Sequence, residues 1–194
     1  MHVLVVLDHP QPASFSAAIA ESVRRGALAA GHTFELADLA AEGFDGAMTT
    51  ADLEHFRGRG PAPEDVLREQ RRVDAADALI IVFPIYWWSL PARLKGWIDR
   101  VFTNGWAYAD GTNGAVEGGL RDRPVHLLGV GATDEEAFER HGYAQAMETQ
   151  IPYGIFNYCG LTNVKLHRLL ESDAATPAPR TAHLETAFAL GRSL

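Results

Sequence analysis

The residues best placed to do chemistry in this chain fall into three short groups. The first is His9, Ser14, Phe15 and Ser16 in "DHPQPASFSAAI"; the second is Pro84, Ile85, Tyr86, Trp87 and Trp88 in "FPIYWWSLP"; the third is Gly129, Val130, Gly131 and Ala132 in "LGVGATDEE". Two serines straddling a helix start bring hydroxyl donors to a place where backbone N–H groups lack partners and the helix dipole is positive, which favours an anion. The plain alternative is that Ser14 only caps the helix. A connection carrying three large aromatic side chains supplies flat walls and backbone amides, which suits a flat heteroaromatic ligand as well as a satellite core or a subunit contact. Gly129 and Gly131 permit close approach of backbone to a ring, or simply shape a turn.

Other chemistries are poorly supported. No G-x-x-x-x-G-K-[ST] follows the first apolar run, which argues against a nucleoside triphosphatase loop, and no G-x-G-x-x-G follows it either. The single Cys159 lies in the apolar stretch "IPYGIFNYCGL" and reads as a buried small side chain rather than a catalytic thiol. His2, His32, His55, His126, His167 and His183 show no ligand-like spacing, so no metal is expected. The net charge of -8, with basic residues scattered, disfavours a nucleic-acid partner. No secretory signal and no apolar run long enough to span a bilayer is seen; with one cysteine, a soluble protein in the reducing cytoplasm is expected.

These groups must be positioned by regular elements. "HVLVVL" (2–7), "TFELADL" (33–39), "ALIIVF" (78–83), "PVHLLGV" (124–130) and "TNVKLHRLL" (162–170) read as strands. Phe15, Ile19, Val23 and Ala27 mark one face of a helix stopped by Gly31. Further helices are expected over 64–76, from about Leu90 to Val101 with Ser89 as cap, over roughly 134–158, and over 179–190; residues 43–63 read as a long excursion. On the helix from Leu90, the residues Arg93, Lys95, Asp99 and Arg100 lie off the apolar face. Strands alternating with helices predict a single α/β domain over 1–194, with a doubly wound, three-layer, five-stranded parallel sheet in the flavodoxin-like order 2-1-3-4-5. Ligands of such sheets bind at the carboxyl ends of the strands, at the switch point between strands 1 and 3. The three residue groups follow strands 1, 3 and 4, so they converge on one crevice shaped for a flavin or a similar nucleotide.

At these residues the chain resembles the NAD(P)H:quinone oxidoreductase family, the DT-diaphorase-like branch of the flavodoxin fold. It is similar also to the smaller bacterial members, which include ancillary subunits of potassium efflux systems. The resemblance runs over roughly residues 2–170 and is carried by "HPQPASFSAAIA", by the stretch from "EQRRVDAADALIIVF" through "PIYWWSLPARLKGWIDRVF", by "GWAYADG" and by "HG…IFNYCGL". It implies FAD or FMN as cofactor, FAD slightly preferred, and NAD(P)H as electron donor. Hydride would pass to flavin N5 and then to a quinone by ping-pong kinetics in a homodimer. It implies that His9, Ser14, Phe15 and Ser16 hold the flavin phosphate, that Pro84–Trp88 lie along the isoalloxazine with Trp87 and Trp88 on the substrate side, and that Gly129–Ala132 form the third flavin loop. Tyr108 matches a tyrosine lent to the partner subunit's substrate pocket, and His141 a catalytic histidine beside the flavin pyrimidine. Relatives carry a tyrosine shortly before that histidine, whereas "TDEEAFERHG" has none. A flavodoxin-type electron carrier, an ancillary transporter subunit, and an azo- or nitroreductase preference are the alternative readings.

Overall fold

The computed structural model describes residues 1–111 and 115–194. Strands β1 (His2–Leu7), β2 (Thr33–Asp38) and β3 (Ala78–Pro84) come from the first half of the chain. Helices α1 (Phe15–Ala29), α2 (Thr50–Phe56), α3 (Glu64–Ala75) and α4 (Ala92–Val101) alternate with them. A small antiparallel pair, β4 (Tyr108–Asp110) and β5 (Val116–Gly118), precedes β6 (Val125–Val130). Then come α5 (Glu135–Arg140), α6 (Tyr143–Glu148), a π-helical stretch (Thr149–Asn157), β7 (Val164–Leu169) and α7 (Ala178–Ser193).

The main sheet is parallel in the order β2-β1-β3-β6-β7, the expected doubly wound arrangement. β3 is buried along its whole length, as an unbroken apolar run in a doubly covered sheet requires. On one face α1 and α7 pack through Ile19, Val23, Ala27, Ala187 and Leu190; on the other lie α3, α4, α5, α6 and the π-helical stretch, centred on Trp97, Phe138 and Phe156. Helices α1 and α7 touch backbone to backbone, since a Cβ on Gly26 would stand 2.1 Å from Phe188 O.

Several local expectations are corrected. The 43–63 excursion contains α2, started by a capping box between Thr49 and Asp52. The single helix expected over 134–158 is three pieces: Gly142 turns left-handed at φ 72° and breaks it, and Pro152, which has no N–H, sits where the coil widens to a π-helix. Helix α4 starts at Ala92, and Ser89 does not cap it; its hydroxyl instead donates to Gln150 Oε1 at 2.6 Å. The cap comes from the far end of β1, where Asp8 Oδ2 accepts from Leu94 N at 3.1 Å and Oδ1 accepts from Arg93 Nη1 at 3.0 Å. Arg100 lies off the apolar face yet is buried, paired with Asp52 and Asp65. Burial would raise the Asp52 carboxyl, but the bonds from Arg100 and Thr49 outweigh it and hold the group below the usual carboxylate range. No helix among the described residues is long and apolar enough to cross a membrane.

Candidate functional site

At the carboxyl ends of β1, β3 and β6 the connections enclose a cleft of about 420 Å³. Ser14 opens one side of it. As N-cap of α1, its hydroxyl accepts from Ala17 N at 3.1 Å, leaving the N–H groups of Phe15 and Ser16, in the unpaired first turn, aimed outward. Ser16 is buried and lines the cleft, and among the described residues its hydroxyl has no hydrogen-bond partner. His9 Nδ1 lies 3.0 Å from Gln11 N and 3.2 Å from Gln11 O, which hold the ring at the cleft edge. Arg180, from the first turn of α7, also lines the cleft, its guanidinium 4.6 Å from the centre of the Phe15 ring. Two helix amides, a hydroxyl, an imidazole and a guanidinium make a polar set fit for a phosphate.

The opposite side is backbone and apolar surface. Pro84, Ile85 and Tyr86 line it from β3, and Val130, Gly131 and Ala132 from β6. Ile85 N donates to Val130 O at 2.8 Å, so the two connections leave the sheet as a pair. Tyr86 and Ser89 exchange backbone hydrogen bonds of 3.2 and 3.0 Å around Trp87 and Trp88, whose φ angles are 48° and 59°. This is a two-residue turn with both central residues left-handed, a conformation normally given to Asn-Gly. Two tryptophans there hold strain, which is commonest beside functional sites. Among the described residues the N–H groups of Trp87 and Trp88 have no backbone acceptor. A donor-rich anion end, a flat slot and a backbone edge in one cleft fit a phosphate-bearing tricyclic ring system.

Of the residues expected here, His9, Ser14, Phe15, Ser16, Pro84, Ile85, Tyr86, Val130, Gly131 and Ala132 are brought together. The rest are not, within one chain. Trp87 projects into solvent, 92% exposed. Trp88 folds away and stacks on Tyr143 at 3.9 Å between ring centres. Gly129 is a strand residue covered by Ile85, whose Cγ1 would be 3.0 Å from an added Cβ; it admits the Ile85 side chain rather than a ligand. His141 ends α5 on the surface, where its ring stacks on Tyr143 at 5.3 Å. Tyr108 lines a separate apolar cavity of about 340 Å³ with Met48, Leu53, Phe56 and Phe102. Burial first, then the neighbouring Tyr158, Cys159 and Asp110, push its phenol above the usual value. Burial also pushes the Cys159 thiol up to about 11, so it is no nucleophile near neutrality.

Sequence reasoning missed a fourth connection. Ser172 and Asp173, after β7, join the cleft together with Gln11, Ala13 and Arg180. Glu171 turns left-handed at φ 56°, and the connection is tied to the third one by Ser172 N donating to Gly131 O at 3.0 Å. The basic residue at the start of a proline-led helix, "TPAPR", was the available signal. The strand before it lies at the sheet edge, away from the switch point, where a ligand-binding connection is not expected.

The fold and this cleft define a doubly wound α/β protein with a nucleotide-sized site at its topological switch point. The family model for the flavodoxin-like fold matches residues 1–189, and the chain belongs to that family. It is similar to the solved NAD(P)H:quinone oxidoreductase from Methanothermobacter marburgensis, at 31% identity and a TM-score of 0.90, covering 100% of this chain and 96% of that one. It is 30% identical to the ribosyldihydronicotinamide dehydrogenase (quinone) of Homo sapiens, over 81% of this chain and 76% of that protein. It is 28% identical to an uncharacterised NAD(P)H oxidoreductase of Haemophilus influenzae, over 96% of this chain and 92% of that one.

Proposed function

We propose that the protein is a flavin-dependent NAD(P)H:quinone oxidoreductase of the cytoplasm, working as a homodimer with FAD in preference to FMN. The observation that carries the reading is the convergence of a phosphate-type donor set and a flat backbone slot in one cleft at the switch point. The names of the relatives support the reaction class. A bound flavin would supply the redox chemistry, a two-electron hydride transfer from a reduced nicotinamide to a quinone in ping-pong order.

The chain's own residues bind and orient. Ser14 fixes the start of α1, which presents the Phe15 and Ser16 amides to the phosphate, with the Ser16 hydroxyl and the His9 imidazole as further partners. Arg180 offsets the phosphate charge. Pro84, Ile85 and Tyr86 bed the ring, and Gly131, where a Cβ would stand 2.9 Å from Leu170 Cδ2, keeps its edge free of a side chain. Trp87 and the Tyr108 region stand free to complete the substrate pocket of a partner copy. His141, outside the cleft, is assigned no proton-transfer step.

The purified protein should show flavin absorbance, or acquire it on soaking in FAD or FMN, and should consume NAD(P)H with menadione without an added reductase. Mass identification of the heat-released cofactor decides between FAD and FMN. A folded protein that takes up neither flavin ends the reading; one that binds flavin but consumes no NAD(P)H is an electron carrier.

A further inference from the structure

Tyr143 opens α6 immediately after the left-handed Gly142, and its ring is sandwiched. One neighbour is Trp88, 3.9 Å away and only 9° from parallel; the other is His141 at 5.3 Å and 29°. Phe138 closes the group with an edge against Trp88 at 5.4 Å and 87°. The stack therefore joins the connection after β3, which carries Pro84–Tyr86 of the cleft wall, to the junction of α5 and α6.

The connection after β3 needs such an anchor. Its turn places two bulky residues in the left-handed region, which L-residues other than glycine avoid. The Trp87 ring is in solvent and holds nothing in the single chain. The Trp88 ring is the turn's hold on the body of the protein, and Tyr143 is its stacking partner. The connection is also tied at its root by the Ile85–Val130 backbone bond, and at its far end by the exposed Ser89–Gln150 bond and by Leu90, which is buried in the core.

We propose that Tyr143 is a positioning residue: by stacking on Trp88 it clamps the 84–91 connection to the start of α6, and so sets the width of the cleft. This deepens the proposed function, because the clamped connection carries the Pro84–Tyr86 wall assigned to the flavin ring. Shape and polarisable area do the work, so phenylalanine suffices and the Tyr143 hydroxyl is dispensable.

The test compares Tyr143→Phe, Tyr143→Ala and Trp88→Ala. Amide hydrogen exchange over residues 84–91 of the flavin-free protein should quicken at least about 5-fold in Tyr143→Ala and stay at the wild-type rate in Tyr143→Phe. The dissociation constant for FAD or FMN, read by quenching of flavin fluorescence, should rise about 5-fold or more in Tyr143→Ala only. In a Trp88→Ala background the Tyr143→Ala change should add nothing to either readout. Tyr143→Leu stands in if the alanine variant does not fold. Folded variants lacking the ring but with wild-type exchange over 84–91 overturn the clamp, as does full additivity with Trp88→Ala. Wild-type protein that binds no flavin sinks the assignment of the cleft instead, and the exchange measurement still judges the clamp.

Discussion

Replacing Asp8 by alanine should cost about 2–3 kcal/mol of stability, a figure assembled from two losses. The carboxylate is buried, and one oxygen accepts from Leu94 N, an amide in the first turn of α4 with no carbonyl partner inside its helix. Losing an N-cap acceptor costs about 1 kcal/mol. The other oxygen pairs with Arg93 at 3.0 Å. Removing one partner of a fully buried pair costs about 3–5 kcal/mol. The Arg93 side chain is 36% exposed, so water recovers much of that charge and about 1–2 kcal/mol is left. Asp8→Asn keeps an oxygen for Leu94 N and loses only the ion pair, so it should fall about 1 kcal/mol short of wild type. Urea unfolding at neutral pH, followed by far-UV circular dichroism with a common slope, reads both variants. An alanine variant within about 0.5 kcal/mol of wild type, or an asparagine variant as damaged as alanine, would refute the cap.

Ser16→Ala and Ser14→Ala should separate binding from folding. Ser16→Ala removes a hydroxyl with no partner among the described residues, so it should leave the flavin-free protein as stable as wild type and weaken flavin binding about 5–10-fold, whereas Ser14→Ala should cost about 1 kcal/mol in urea through its lost cap. Gly26→Ala should destabilise by about 2 kcal/mol or more despite the helical preference of alanine, because the new methyl meets the α7 backbone; thermal unfolding reads it. His126 and His167 stack between β6 and β7, with Nδ1 and Nε2 3.0 Å apart. Burial first, then His167 and Lys165, lowers His126 to about 4. The unfolded chain therefore binds the extra proton between pH 6.5 and 4, and the folded one does not. Stability from this group is whole above pH 6.5 and falls by at most about 3 kcal/mol as pH drops to 4. In His126→Leu the urea midpoint should lose part of its slope across that window; an unchanged slope refutes the assignment.

The sequence by itself determined the frame. Five apolar, β-branched runs separated by helix-period segments leave a doubly covered parallel sheet as the economical burial, and the chain order puts the connections after β1, β3 and β6 at one crest. Ser14 was legible as a cap because its partner is three residues away. What only the tertiary structure decided is which side chains face that crest. The Trp87–Trp88 turn carries no local signal for positive φ, and one ring goes outward while the other packs on Tyr143, 55 residues away in sequence. The cap of α4 is decided the same way: Ser89 has the right type and place, but the Asp8 carboxylate, 86 positions before Leu94, accepts from its amide instead. Arg180 enters the cleft only because α7 lies back along α1 through glycine contacts that no periodicity announces. Local spacing fixes backbone period and caps within a few residues; side-chain direction at the loops is set by partners distant in the chain, and those exist only once the layers have packed.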